Sequence, residues 1–171
     1  MALYRAGEQC VGKGEIPVAI PKHETVTFGL EQILGRFVDA AYAYRFWPPG
    51  HDVVCVSLHK AQGDIPFSQS FRFPAGYPAE RRGVAEMGMC GFAEVLPNGG
   101  IEVALSSRRL AWGVRIAASG FLPDDSYFCI EPGRQRRIVM TPQRSAGPPA
   151  NLTVTAMNAE GRLSVKVGGR E

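Results

Sequence analysis

Apolar residues recur at every second position in several short runs of this chain. That period suits a pleated strand and defeats a helix. Across Ile101–Ser106, Ile101, Val103 and Leu105 share one side. Val54, Val56 and Leu58 do the same within Asp52–His59, and Trp112, Val114 and Ile116 oppose Arg115 within Ala111–Ala117. Pro97-Asn98-Gly99-Gly100 leads into the first run. Asn-Gly accepts the positive φ angles of a two-residue hairpin turn, so a strand is expected on each side of it.

Further short strands are predicted at Leu3–Arg5, Ile16–Ile20, Thr25–Phe28, Ser68–Phe73, Ser126–Ile130, Arg137–Met140, Leu152–Ala156 and Leu163–Val167. Gln62-Gly63-Asp64, Glu131-Pro132-Gly133 and Asn158-Ala159-Glu160-Gly161 supply turn chemistry between them. Helix is expected only at Leu30–Leu34, ended by Gly35. The fold class is all-β, a sandwich or a barrel. Thirteen Pro and twenty Gly fit a chain that turns often, and 45% apolar residues suffice for a packed core. Residues 74–83 form a polar connection holding Pro74, Gly76 and Pro78, which divides the chain into units 1–78 and 79–171.

The net charge is +3. The only dense basic group is Arg134, Arg136 and Arg137, read as a solvated strand edge that discourages edge-to-edge pairing. No nucleic-acid partner is expected. No apolar run is long enough to span a bilayer as a helix, so no membrane partner is expected either. Met1-Ala2-Leu3-Tyr4-Arg5 lacks the apolar run of a leader, which favours the cytoplasm.

Cys10, Cys55, Cys90 and Cys129 are widely spaced with no C-x-x-C pair, so a metal site is not expected. Each is read first as a small apolar side chain on a strand. Trp112 between Cys90 and Cys129, with Tyr127 two residues before Cys129, matches the order of an immunoglobulin disulfide, its tryptophan and its corner tyrosine. The interval is short for a Cys90–Cys129 bridge of that kind, and Trp112 lies far from Cys90.

Catalytic patterns are weak. Glu94 and Glu102 flank the Asn98-Gly99 hairpin and should face each other as a surface pair. Asp124-Asp125 reads as a turn whose carboxylates accept backbone N–H groups, ahead of a calcium site. With only His23, His51 and His59 and no G-x-S-x-G elbow, a nucleophile–base constellation is not expected. No catalytic residue, metal or cofactor is assigned. Sugar binding needs exposed aromatic faces. Tyr42, Tyr44 and Phe46 share one strand face, followed by Trp47, and such a face is first of all core or domain interface. As an exposed carbohydrate platform, the candidates are Tyr42, Tyr44, Trp47 and Tyr77, with Phe73 beside them.

Two segments carry a family resemblance. One is Leu34-Gly35-Arg36-Phe37-Val38-Asp39 continuing through Ala43–Val54. The other is Val103–Val114 followed by Gly120-Phe121-Leu122-Pro123-Asp124-Asp125-Ser126-Tyr127-Phe128-Cys129-Ile130-Glu131-Pro132-Gly133. They are similar to the region after the catalytic barrel, and to the last domain, of family 2 glycoside hydrolases of the β-mannosidase type. Val154–Ala159 resembles that domain's final hairpin. Ser126 stands where the family often has Asn, and Cys129 where it often has an acidic or polar residue.

The resemblance implies two tandem immunoglobulin-like β-sandwiches, 1–78 short or truncated and 79–171. It implies a partner, the catalytic barrel of a parent hydrolase acting on β-mannosides. That (β/α)₈ barrel takes about 250 residues and is missing here, as is its Asn-Glu dipeptide, so this chain should be inactive alone. Carbohydrate, and a second copy of the chain paired through an open strand edge, are the other partners considered.

Overall fold

The computed structural model describes residues 1–39, 50–63, 65–143 and 147–168. The chain is mostly β and divides into two compact units, Met1–Tyr77 and Pro78–Glu171.

The first unit holds one antiparallel sheet. Strands β1 (Ala2–Arg5), β2 (Gln9–Lys13), β3 (Val53–Leu58) and β4 (Ser68–Arg72) stand in the order β2-β1-β3-β4. Helix α1 (Leu30–Leu34) closes on Gly35, as expected. Leu3 and Val54 are opposite each other on β1 and β3, and Met1, Val11, Leu30, Leu34 and Val38 pack around them. Val53, Val54 and Cys55 are buried in succession, so this part of β3 is covered on both faces. On β3, β1 pairs with those three residues alone. Beyond them β3 has β4 alone, and Val56 and Leu58 are exposed rather than sharing the Val54 core. The segments Ile16–Ile20 and Thr25–Phe28 are not strands. Pro17 removes a ladder donor from within the first and Pro21 stands directly after it, which explains its failure to pair.

The second unit carries β5 (Arg82–Gly83), α2 (Val84–Met87), β6 (Cys90–Val95), β7 (Ile101–Ser107), β8 (Ala111–Ala117) and β9 (Phe121–Pro123). It continues with β10 (Phe128–Ile130), β11 (Arg134–Pro142), β12 (Asn151–Thr155), β13 (Ala159–Glu160) and β14 (Leu163–Gly168). Eight strands form one hydrogen-bonded array, β10-β8-β12-β14-β6-β7-β11-β9. It consists of two four-strand antiparallel runs joined by the parallel β14–β6 pair, where Val167 meets Ala93. The alternation predicted for β7 is realised, with Ile101, Val103, Leu105 and Ser107 buried. They share one core with Ile138 and Met140 of β11, Val114 and Ile116 of β8, Leu152 and Val154 of β12, and Val165 of β14. The Ser107 hydroxyl, the polar end of that row, donates to the Met87 carbonyl at 3.1 Å. The short parallel pair β5–β13 lies outside the array.

β8 departs from simple alternation. Phe128 of β10 faces Val114, and Ile130 faces Ala111, so two steps on β10 match three on β8. The extra residue is absorbed at Trp112-Gly113, with Gly113 at φ 60°. A Cβ at Gly113 would stand 2.4 Å from Met157 Cγ, so only glycine fits. The bulge takes Trp112 off the inward face, where Ala111, Val114 and Ile116 remain. The indole N–H instead donates to the Pro78 carbonyl at 3.3 Å.

Buried Asn158 ties this irregular stretch to the β12–β13 turn. Its Nδ2 donates to the Leu110 carbonyl at 2.8 Å, and its Oδ1 accepts from the Trp112 N–H at 3.0 Å. The Asn158 carbonyl accepts from the Arg82 N–H, which brings in β5.

Asn158→Ala removes both side-chain bonds and strands two backbone groups. We expect a loss of about 2 to 4 kcal/mol in urea unfolding of the second unit. A change below about 0.5 kcal/mol would show that the clamp contributes little.

Candidate functional site: an arginine-lined groove in the second unit

Arg115 on β8 and Thr155 on β12 are directly opposite each other, and both point outward. Tyr127 immediately precedes β10, whose Phe128 faces Val114, and it lines the same groove as Arg115. Met157 follows β12, and its N–H donates to the Trp112 carbonyl at 2.9 Å across the bulge. Arg81, just before β5, donates from Nη2 to the Ala159 carbonyl at 2.8 Å. These side chains, with Gly113 and Ala156, line an open groove of about 380 Å³.

The groove's charge is unbalanced. Neither guanidinium has a carboxylate among the lining residues. Three acids nearby in sequence, Glu80, Glu86 and Asp125, are engaged elsewhere. Glu80 and Glu86 both pair with Arg82, and they raise its already high pKa, Glu86 more than Glu80. Asp125 pairs with Arg136 at 2.7 Å, and Arg136 also covers the Phe128 ring. Arg115 makes no ion pair or side-chain hydrogen bond among the described residues.

The backbone is irregular at this place too. Tyr127 sits at φ 61° and is 62% exposed. A bulky residue in the left-handed region is uncommon, and its placement there costs about 1 to 2 kcal/mol. Tyr127 is therefore no buried corner tyrosine of the immunoglobulin kind. It presents its ring to solvent ahead of an edge strand.

The other expected residues lie as follows. Tyr42, Tyr44 and Trp47 fall outside the described residues. Tyr77 is exposed in the first unit, with its ring 5.1 Å from that of Phe73. Glu94 and Glu102 do face each other across β6 and β7, and Arg137 bridges to Glu102 at 2.9 Å. Asp124 takes the turn role. Its N–H and Oδ1 bond to both backbone groups of Val139, while Asp125 Oδ1 accepts from the Ser126 N–H. Of the basic trio, Arg134–Val139 hydrogen bonds β7 on one side, and β9 reaches only Met140–Pro142 on the other. Among the described residues no group of three or more His, Cys, Asp or Glu side chains is placed to hold a metal ion.

All four cysteines are thiols, with no Cys90–Cys129 bridge. Only Cys55 is buried, against the expectation of four buried apolar side chains. Cys10 and Cys90 are exposed, and Cys90 Sγ lies 3.0 Å from Ser106 Oγ. Cys129 is partly buried beside the bulge. Its burial raises the thiol's pKa, against the smaller opposing effects of the Gly113 backbone and Arg136.

In the sequence Arg115 and Tyr127 stand apart, one opposite the apolar face of a strand and the other two residues before Cys129, and neither points to a shared site. The signal available was Gly113 itself, since a lone glycine inside a strand pattern marks a bulge, and bulges re-aim their neighbours. No protein-family model, curated protein or solved structure matches this chain.

Cys129 is expected to alkylate more slowly than Cys10 and Cys90 at pH 8, read by mass spectrometry of peptides after iodoacetamide. A raised folded pKa also means that Cys129 adds stability below the unfolded thiol's pKa and loses it as pH rises through its own. Cys129→Ala should therefore flatten the alkaline decline in melting temperature. Labelling of Cys129 as fast as Cys10 would contradict this placement.

Proposed function

We propose that this chain is a non-catalytic accessory region of a β-mannosidase-like family 2 glycoside hydrolase, made of immunoglobulin-like sandwich units that pack beside a parent barrel. The observation that carries the reading is the strand order of the second unit. The run β6-β7-β11-β9 matches the A-B-E-D sheet of an immunoglobulin-like sandwich, and β8-β12-β14 matches C-F-G. The resemblance segments fall on these strands: Val103–Val114 runs through β7 into β8, and Gly120–Gly133 covers β9, β10 and the turn into β11. One departure stands against a strict match. β10 flanks β8 yet follows β9 in the chain, so the chain visits the D-side edge before the C-side edge.

For the first unit the reading rests on the resemblance alone, since its described residues hold one sheet and one helical turn. The carboxylates engaged as cross-strand, turn and ion-pair groups support a structural role. Among the described residues Glu94 and Glu102 face each other across two strands, and Asp124 and Asp125 sit in a turn. A second reading, a carbohydrate-binding module, is favoured by the exposed Tyr77 ring, which packs against the half-buried Phe73 in the first unit. A third, strand pairing between two copies, draws on β2 and β4, the outer strands of the four-stranded sheet.

The purified chain should release no chromophore from p-nitrophenyl β-mannoside. Added to a β-mannosidase barrel segment lacking its own sandwiches, it should co-elute with the barrel and raise its melting temperature by several degrees. Mannoside cleavage by the chain alone, or failure both to co-elute and to stabilise, would overturn the proposal.

A further inference from the structure

Three irregularities converge on one groove: the Gly113 bulge, the positive φ of Tyr127 and the Asn158-clamped turn that carries Met157. Strain concentrated in one place and held there by a satisfied buried asparagine is worth a functional explanation. The side chains it assembles are two guanidiniums, a hydroxyl, an exposed aromatic ring and a thioether.

We infer that this groove binds a carboxylate borne on a sugar ring, a uronic-acid residue. The guanidinium fork matches a carboxylate in two parallel hydrogen bonds, and an ammonium would not. Arg81 is held by the Ala159 carbonyl through Nη2, which leaves its other N–H donors available to a ligand. Arg115 stands ready with no partner to displace among the described residues. No carboxylate lines the groove, so a bound anion meets no like charge there. The Thr155 hydroxyl, directly opposite Arg115, suits a ring hydroxyl.

The exposed Tyr127 ring and Met157 separate this ligand from a bare anion. Apolar walls add nothing for phosphate or sulfate, whereas the C–H face of a pyranose stacks on an aromatic ring. A volume of about 380 Å³, open to solvent, accommodates one or two sugar rings within a longer chain. An open, solvent-screened site of this kind implies affinity in the millimolar range, on the order of −4 kcal/mol. The assignment stands whether or not the chain accompanies a glycosidase barrel.

The test is an NMR titration of the full ¹⁵N-labelled chain with methyl β-D-glucuronide, methyl β-D-glucoside and acetate in parallel. The glucuronide should shift the amides of Arg115, Tyr127 and Met157 with a saturable curve. The neutral glucoside and acetate should each bind at least about tenfold more weakly, the loss expected when a charge-assisted pair or a stacking face is missing. Arg115→Gln replaces an exposed side chain and should weaken the glucuronide by a similar factor with an unchanged melting temperature. Tyr127→Gly relieves the positive φ, so it should fold at least as well as the parent while losing the ring and several-fold in affinity. The inference is overturned if the glucuronide shifts none of these amides at tens of millimolar. It is equally overturned if the glucoside or acetate binds as well, or if Arg115→Gln binds unchanged.

Discussion

A single apolar core, shared by the inward faces of eight strands, is the constraint on which the second unit depends. The row Ile101, Val103 and Leu105 on β7 packs with side chains from both four-strand runs, and all three are fully out of solvent. Neither run can bury its apolar face without the other, because a sheet with one wet face and no cover loses the transfer energy of that face. The parallel β14–β6 pair then fixes where the two runs join. With the core closed inward, the outer faces are left to polar pairs and to whatever binding the unit performs.

The outer face nonetheless takes its shape from the core. Ala111 and Val114 must both point inward although they are an odd number of residues apart, and a strand cannot do that without an extra residue. Gly113 absorbs it, Trp112 turns out to meet the Pro78 carbonyl, and Arg115 returns to the outward face. Asn158 then satisfies the two backbone groups that the bulge would leave unpaired, Leu110 C=O and Trp112 N–H. The geometry of the arginine groove is thus a consequence of how β8 reconciles its own pattern with the shared core.

Much of this was legible in the sequence. The Asn98-Gly99 hairpin, the alternation of β7, the turn at Glu131-Pro132-Gly133 and the helical turn closed by Gly35 all follow from local chemistry. What escaped had a non-local cause. Trp112 reads as inward by period, and only pairing with β10 reveals the bulge that turns it out. Val56 and Leu58 read as core by period, and only the short reach of β1 shows why they are exposed. Ile16–Ile20 has strand-like residues, but Pro17 within it and Pro21 just after it cannot donate to a ladder. The two-residue strands β5 and β13 carry no periodic signal at all. The groove was invisible for a related reason. Arg81, Arg115, Tyr127 and Met157 are far apart in the chain, and no spacing links them.

Native-state hydrogen exchange across the second unit tests the shared core most directly. If the eight strands close over one core, the slowest amides of β7, β11, β8 and β12 will exchange through a common opening, with one free energy and one denaturant slope. Two distinct sets of values, one for β6-β7-β11-β9 and another for β14-β12-β8-β10, would mean that the runs unfold separately and that no common core joins them.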